Sequence, residues 1–179
     1  MTDYVQMERS FIERTVEVLD QYHELVMGRV SERQEYEVTL LMNCMLGLLI
    51  YPQQIAKRNK WDKWLAKDRI EDVGSSWGLR PEYVLCPGRI DHEGDRYAPL
   101  ELAHLTIRRL LRQMRNTAAH ASFKVHDSGE HRGKISHIVF HDEREHGLHL
   151  VLPVDALEAF VRKLASTAVQ KLEQRESNA

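Results

Sequence analysis

The sequence has few of the residues that mark secreted, metal-bound or membrane-spanning proteins. Its two cysteines, Cys44 and Cys86, are far apart and form no Cys-x-x-Cys pair. Such sparse usage suits a reducing compartment and argues against a zinc ribbon. The longest apolar run, residues 40–51, is interrupted by Asn43 and is too short to cross a bilayer. We therefore expect a protein without a membrane-spanning segment.

The sequence also lacks an excess of charge of either sign. Its formal net charge is -2, so no bulk positive field indicates nucleic acid, and any phosphate site must be a local cluster of cations. Residues 1–4 show no basic start followed by an apolar run, so we expect no secretory signal and a cytoplasmic location. A hydrophobic content of 42% and a length of 179 residues fit one globular domain over 1–179.

Apolar periodicity predicts a mainly helical chain. Apolar residues recur at steps of three and four, as in amphipathic helices, in four segments: residues 5–27, 53–66, 100–120 and 155–172. Residues 36–51 are almost entirely apolar, which predicts a central helix that is nearly fully buried. Pro52 either ends this helix or opens the next one in its first turn.

Two short segments have the pattern of strands. Residues 135–141 and 148–152 are rich in β-branched and apolar residues and flank a polar turn, which predicts a hairpin. Three other segments predict a long irregular connection, a mobile loop and a frayed tail, respectively: residues 68–99, 122–134 and 174–179. The expected fold class is all-α in the main, a helical bundle with a small β-hairpin near 135–152.

A polar stripe runs along the helix predicted over 100–120. Its members follow one another at four-residue steps: His104, Arg108, Arg112, Asn116 and His120. Each step drifts only about 40° around a helix, so the stripe winds slowly. For His104, Arg108 and Arg109, the favoured interpretation is that they belong to an exposed helical face. Arg108 and Arg112 are also the candidate substrate contacts, because guanidinium groups bind phosphate.

Arg115, Asn116 and His120 stand together where the apolar pattern of this helix ends. RNA cleavage without a metal needs one group that neutralises phosphate and one that moves a proton, and Arg and His supply these functions. Residues five apart diverge by about 140° on a straight helix. Either the helix frays before His120, or a second chain completes the site.

Asn43 is the polar side chain well inside the apolar run, and it has two interpretations. A core amide that is hydrogen-bonded to a neighbouring helix is the more common arrangement. Alternatively, Asn43 faces the candidate site, contacts substrate and supports Asn116 or His120.

Histidines near the predicted hairpin raise the possibility of a metal site. His137 and His141 would share one strand face, and His146 and His149 follow on the turn and next strand, near Asp142 and Glu143. Histidine and carboxylate groups ligate zinc, but no tight spacing such as His-Glu-x-x-His occurs. Solvated surface histidines are the favoured interpretation, and we expect neither a metal nor another cofactor.

The order Arg115, Asn116, three residues and His120 resembles the signature of the HEPN superfamily (higher eukaryotes and prokaryotes nucleotide-binding domains). The context agrees, because the motif ends a long helix that follows an apolar one. Residues 40–52 and 140–160 are also similar to single-domain HEPN proteins found on plasmids and mobile elements.

This resemblance implies a helical bundle that forms a homodimer, with the two motifs facing each other across the interface. It further implies metal-independent endoribonuclease activity on RNA in a toxin or defence role, with an antitoxin as a possible partner. His120 would transfer protons and Arg115 would bind the scissile phosphate, with Asn116 as the polar residue beside it. The alternative is a catalytically silent interaction or nucleotide-binding module that partners another protein, such as a nucleotidyltransferase.

Overall fold

The computed structural model describes residues 7–27, 34–58, 60, 68–80, 83–86, 98–99, 105–127, 135–141 and 149–177. These residues form five α-helices: α1 (Met7–Met27), α2 (Gln34–Arg58), α3 (Ile70–Val73), α4 (Ile107–Ala119) and α5 (Val154–Glu176). They also form five strands: β1 (Val84–Cys86), β2 (Ala98–Pro99), β3 (Phe123–Asp127), β4 (Ile135–His141) and β5 (His149–Pro153). The expected fold class is confirmed, because the chain is mainly helical with a small antiparallel sheet.

The chain forms two compact units. The first comprises Met1–Lys60 with Val161–Ala179, and the second comprises Trp61–Phe160, so α5 contributes residues to both. The expectation of a single domain over 1–179 stays a prediction. Within the described parts of the chain, no helix has the length and hydropathy needed to span a membrane.

In the first unit, α1 packs on α2 and is tied to the end of α5. The ring of Phe11 lies 4.3 Å from that of Tyr51, centroid to centroid. The Arg9 guanidinium pairs with the Glu173 carboxylate at 3.0 Å, and the Ser177 N–H donates to the Glu173 carbonyl oxygen at 3.0 Å. Helix α5 therefore extends to Glu176, and residues 178–179 of the tail that was expected to fray over 174–179 lie outside the described ranges.

Helix α2 runs through Pro52, which was expected either to end this helix or to open the next one. A proline inside a helix removes one N–H donor and costs about 3 kcal/mol. Here the ring of Pro52 is buried, and the Gln53 side-chain amide donates to the Leu49 carbonyl oxygen at 2.7 Å. The carbonyl that lacks its usual N–H partner is that of Leu48, so of these two features only the burial of the ring offsets part of that cost, and the helix continues to Arg58. The helix predicted over 53–66 is thus the end of α2 as far as Arg58, and residues 61–67 lie outside the described ranges.

Helix α2 buries one face instead of being enclosed on all sides. Its buried residues include Met45, Leu48 and Leu49, whereas Leu40 is 42% exposed. Asn43 is exposed too, so its interpretation as a core amide is wrong. The prediction of near-complete burial fails because an unbroken apolar sequence does not specify how many neighbours surround a helix. Support of Asn116 or His120 by Asn43 stays a prediction.

The sheet of the second unit has the strand order β2-β1-β5-β4-β3, and all its pairs are antiparallel. The predicted hairpin is β4 with β5, whose register places His141 opposite His149. Strand β3 occupies part of the expected mobile loop, and Phe123 pairs with Phe140. The segment expected to be irregular, 68–99, supplies α3, β1 and β2. These strands were missed because strand formation depends on a pairing partner more than on local sequence.

Candidate active site

Helix α4 carries the motif, and its start is fixed by contacts with a distant segment. The Thr106 side chain caps the helix by accepting the N–H of Arg109 at 3.2 Å. The Ile107 N–H donates to the Asp68 carbonyl oxygen at 3.0 Å, and Thr106 forms an isolated β-bridge with Arg69. The helix therefore begins at Ile107 and not at residue 100 as predicted. Residues 100–104, including His104, lie outside the described ranges.

Helix α4 is strongly amphipathic and locally basic. Its buried residues lie on one side: Ile107, Leu110, Leu111, Met114 and Thr117. Its sequence contains four arginines and neither Asp nor Glu, whereas the net charge of the whole chain is -2. Arg108, Arg112 and Arg115 are spaced by four and three residues, so they lie along one edge of the polar face. This edge is a local cluster of cations of the kind that a phosphate site would need in a chain without net positive charge.

The end of α4 is a Schellman turn, which fixes His120 as the C-cap of the helix. The Ser122 N–H donates to the Thr117 carbonyl oxygen at 2.8 Å, and the Ala121 N–H donates to that of Ala118 at 3.1 Å. The N–H of His120 still donates to the Asn116 carbonyl oxygen at 3.1 Å. The helix therefore does not fray before His120, and Arg115 and His120 keep a divergence near 140°.

The side chain of Arg115 reaches across the polar face toward Asn116. Its Nη2 donates to Asn116 Oδ1 at 2.9 Å, and both residues are half-buried. The remaining guanidinium N–H groups can donate to the oxygens of an anion such as phosphate. His120 is exposed, so its imidazole is open to a bound substrate. The structure thus couples Arg115 with Asn116 and leaves His120 at the other edge of the same face.

Gln113 is a neighbour of the motif that the sequence analysis did not select. It precedes His120 by seven residues, which places both on the same side of α4. Its side-chain oxygen Oε1 is the buried side-chain atom without a hydrogen-bond partner among the described residues. An unpaired buried acceptor costs about 1–3 kcal/mol. The seven-residue spacing was the sequence signal that could have identified it.

The two groups of candidate substrate contacts are separated in the chain. Arg108 and Arg112 lie on α4 together with the motif, Arg112 exposed and Arg108 half-buried. Asn43 lies on α2, in the other compact unit. The arginines are thus positioned by the same helix as Arg115.

The histidines of the sheet form two pairs. His141 Nδ1 lies 3.0 Å from His149 Nδ1, and the ring of His126 stacks on that of His137 at a centroid distance of 4.7 Å. No three His, Cys, Asp or Glu side chains of the described residues are grouped in a way that would hold a metal ion. The remaining ligands considered from the sequence lie outside the described ranges: Asp142, Glu143 and His146.

Comparison with known proteins identifies one family. A family model described as HEPN pEK499 p136 matches residues 1–175, which is nearly the whole chain. No curated protein and no solved structure matches the chain.

Proposed function

Because the chain belongs to the HEPN superfamily, in the plasmid-associated branch, we propose that it is a metal-independent endoribonuclease. The observation that carries this proposal is the Arg115–Asn116 hydrogen bond of 2.9 Å on a helix with four arginines and no acidic residue, ended by an exposed His120. A phosphate-binding cation and a proton-transfer group thus stand on one accessible face. The protein acts in the cytoplasm in a toxin or defence role.

The proposed reaction uses the 2′-hydroxyl of the substrate as the nucleophile. His120 takes the proton from this hydroxyl, and the oxygen attacks the adjacent phosphorus. The Arg115 guanidinium binds two phosphate oxygens and stabilises the charge that builds up in the transition state. The bond to the 5′-oxygen then breaks, which leaves a 2′,3′-cyclic phosphate and a 5′-hydroxyl. Asn116 orients the guanidinium, since it already accepts one of its N–H groups.

A homodimer completes this site. The helical hydrogen bonds of α4 continue to the N–H of its C-cap His120, so Arg115 and His120 of one chain lie on different edges of the polar face. A two-fold axis brings the same patch of a second copy opposite the first, so that Arg115 of one copy meets His120 of the other. Light scattering at micromolar concentration should give twice the mass of the chain. A monomer under these conditions would argue against a shared site.

Arg108 and Arg112 extend the phosphate site along α4 in this proposal. With a rise of about 1.5 Å per residue, the row Arg108, Arg112 and Arg115 spans roughly 10 Å. That length suits contacts to consecutive phosphates of one RNA strand. Each phosphate contact releases counterions, so removal of Arg108 or Arg112 should weaken RNA binding and reduce its dependence on salt.

The test is cleavage of RNA that carries a single 2′-deoxynucleotide at the cut site. The protein should cut the all-RNA strand and leave a 2′,3′-cyclic phosphate, and it should bind the deoxy-substituted strand without cutting it there. His120→Ala should slow cleavage by about 10²–10⁴-fold, the range for a positioned acid–base group. His126→Ala is the matched control, because His126 is an exposed histidine of the same unit, and its rate should equal that of the wild type.

Two results would overturn the proposal. Normal cleavage of the deoxy-substituted strand would mean that water is the nucleophile, and the roles given to Arg115 and His120 would be wrong. Intact RNA after incubation with folded wild-type protein would favour the silent interaction module, with an antitoxin or a nucleotidyltransferase as its partner.

A further inference from the structure

One end of the sheet lies directly beside the motif. The chain leaves α4 at its C-cap His120 and enters β3 at Phe123, three residues later, after the turn at Ala121. The carbonyl oxygen of Ser122 accepts the backbone N–H of His141 at 3.2 Å. His141 is in turn the register partner of His149 on β5. Ser122, His141 and His149 therefore form one lateral row across three adjacent segments, and this row begins two residues after His120.

The side chains of His141 and His149 form a hydrogen-bonded pair in this row. Their Nδ1 atoms are 3.0 Å apart, and both residues are half-buried. One ring donates from Nδ1 and the other accepts, so the accepting ring carries its own hydrogen on Nε2. Their neighbours along the strands, Phe140 and Leu150, are buried on the opposite face of the sheet. The pair therefore lies on the face of the sheet away from these core residues.

Cleavage through the 2′-hydroxyl requires two proton transfers at different oxygens. The nucleophile loses a proton, and the leaving 5′-oxygen must gain one. In the proposed function His120 performs the first transfer, and one imidazole cannot both lack and hold the proton at the same moment. A second proton-transfer group near the first would allow both transfers to occur together.

We propose that the His141–His149 pair protonates the leaving 5′-oxygen, an inference that rests on the proposed ribonuclease function. With one additional proton, the pair keeps a shared hydrogen between the Nδ1 atoms and carries hydrogen on both Nε2 atoms. As the 2′-oxygen bonds to phosphorus and the bond from phosphorus to the 5′-oxygen breaks, one Nε2 proton passes to the 5′-oxygen. The neutral pair keeps its internal hydrogen bond. His120 then releases its proton to solvent, and the pair takes one up.

The second histidine pair of the sheet provides an internal comparison. His126 and His137 stack with an interplanar angle of 3°, and His137 precedes His141 by four residues on β4. At about 3.3 Å per residue, this separation is roughly 13 Å along the strand. The stacked pair therefore lies away from this row along the strands, and the proposal gives it no part in the reaction.

The experiment compares two RNA substrates that differ only in the bridging atom that leaves phosphorus at the cut site. The first substrate carries the natural 5′-oxygen. In the second substrate, sulfur replaces the bridging 5′-oxygen at the cut site. A thiolate leaves without being protonated, so loss of the acid slows cleavage of the oxygen substrate alone. His141→Ala, His149→Ala and the corresponding Gln variants should each cut the oxygen substrate about 10²-fold or more slowly and cut the sulfur substrate at the wild-type rate. His126→Ala should cut both substrates normally.

The outcomes separate this inference from the proposed function. His120→Ala should be slow on both substrates, because its proton transfer concerns the 2′-hydroxyl. If the His141 and His149 variants cut both substrates normally, the acid lies elsewhere, for instance on His120 of a second copy. If all four variants are slow on both substrates, the pair has a structural role. Either result overturns the inference, whereas wild-type protein that cuts neither substrate overturns the proposed function itself.

Discussion

The Ser122 N–H donates to the Thr117 carbonyl oxygen at 2.8 Å, and this bond ends the helix that carries the motif. Thr117 is only 4% exposed, and its hydroxyl donates to the Met114 carbonyl oxygen at 2.9 Å. Because the Thr117 side chain is buried and hydrogen-bonded to its own helix, the turn that its carbonyl oxygen closes is fixed as well. His120 lies within that turn, so the direction in which its side chain leaves the helix depends on a buried threonine.

The turn places Ala121 in the left-handed region, with φ of 53°. This conformation costs a residue other than glycine about 1–2 kcal/mol. Ala121→Gly should remove that cost and lose roughly 0.4–1 kcal/mol through the greater freedom of its unfolded chain. We expect a net gain of about 0.5–1 kcal/mol in the free energy of unfolding, measured in urea. Ala119→Gly, inside α4, is the control and should lose up to about 1 kcal/mol. Equal losses in both variants would refute the strain at Ala121.

The bond between Arg115 and Asn116 predicts non-additive losses of activity. Arg115→Ala should lower kcat and raise KM, because its charge serves the bound substrate and the transition state alike. Asn116→Ala should be milder, about tenfold or less, since a hydrogen bond contributes about 0.5–1.5 kcal/mol. Once Arg115 is absent, Asn116 has nothing to orient, so the double variant should match Arg115→Ala. Steady-state kinetics of the four proteins measure this coupling, and fully additive losses would show that the two residues act separately.

Cleavage should persist after chelation. The chemistry assigned to Arg115 and His120 consists of charge stabilisation and proton transfer, and neither step in the proposed reaction uses a metal ion. Rates before and after incubation with EDTA and desalting should agree within about twofold if acid–base groups alone carry the reaction. If EDTA abolishes cleavage and zinc or manganese restores it, the histidines of the sheet would have to be reconsidered as ligands.

Cys44 should react slowly with thiol reagents. It is buried at 7% exposure, and burial raises the pKa of its thiol. Since the thiolate is the reactive form, less of it is present at pH 8 than for an exposed cysteine, and the rate should rise as pH increases toward the raised pKa. Peptide-resolved alkylation by mass spectrometry reports Cys44 separately from Cys86. Rapid labelling at pH 7 would mean that this part of α2 opens readily.

Gly78 should not tolerate a side chain. Its φ is 73°, and an added Cβ would lie 2.8 Å from the Cβ of Ala159 in α5. Gly78→Ala combines backbone strain with overpacking, so it should cost at least about 2 kcal/mol in the free energy of unfolding. Gly47→Ala is the matched control, because its added Cβ would meet only the ring of Phe11 at 4.0 Å. That helical position should be neutral or gain up to about 1 kcal/mol.

Local sequence patterns predicted the helices and strands that depend only on residues within one segment. The hairpin strand over 135–141 is β4 as observed, and α1 begins and ends close to its predicted bounds, since alternation and three-to-four spacing lie within single segments. Strand β3 was missed although Phe123 to His126 alternate apolar and polar residues, because the run is only five residues long. Its residues Lys124, Val125 and His126 are exposed and are held by pairing with β4. The extension of α2 through Pro52 was missed for a similar reason, since burial of that ring depends on neighbours that no local pattern specifies.

The sequence by itself determined which chemical groups stand together on α4. Arg115, Asn116 and His120 are neighbours on one helix, and helical geometry relates residues a few positions apart whatever surrounds them. Only the tertiary structure decided that Thr106 and Arg69 fix the start of that helix and that His141 bonds to His149 beside its end. These contacts join segments that are distant in the sequence. The register of the paired strands is set by strand pairing and burial, which act between segments and cannot be recognised from a local sequence pattern.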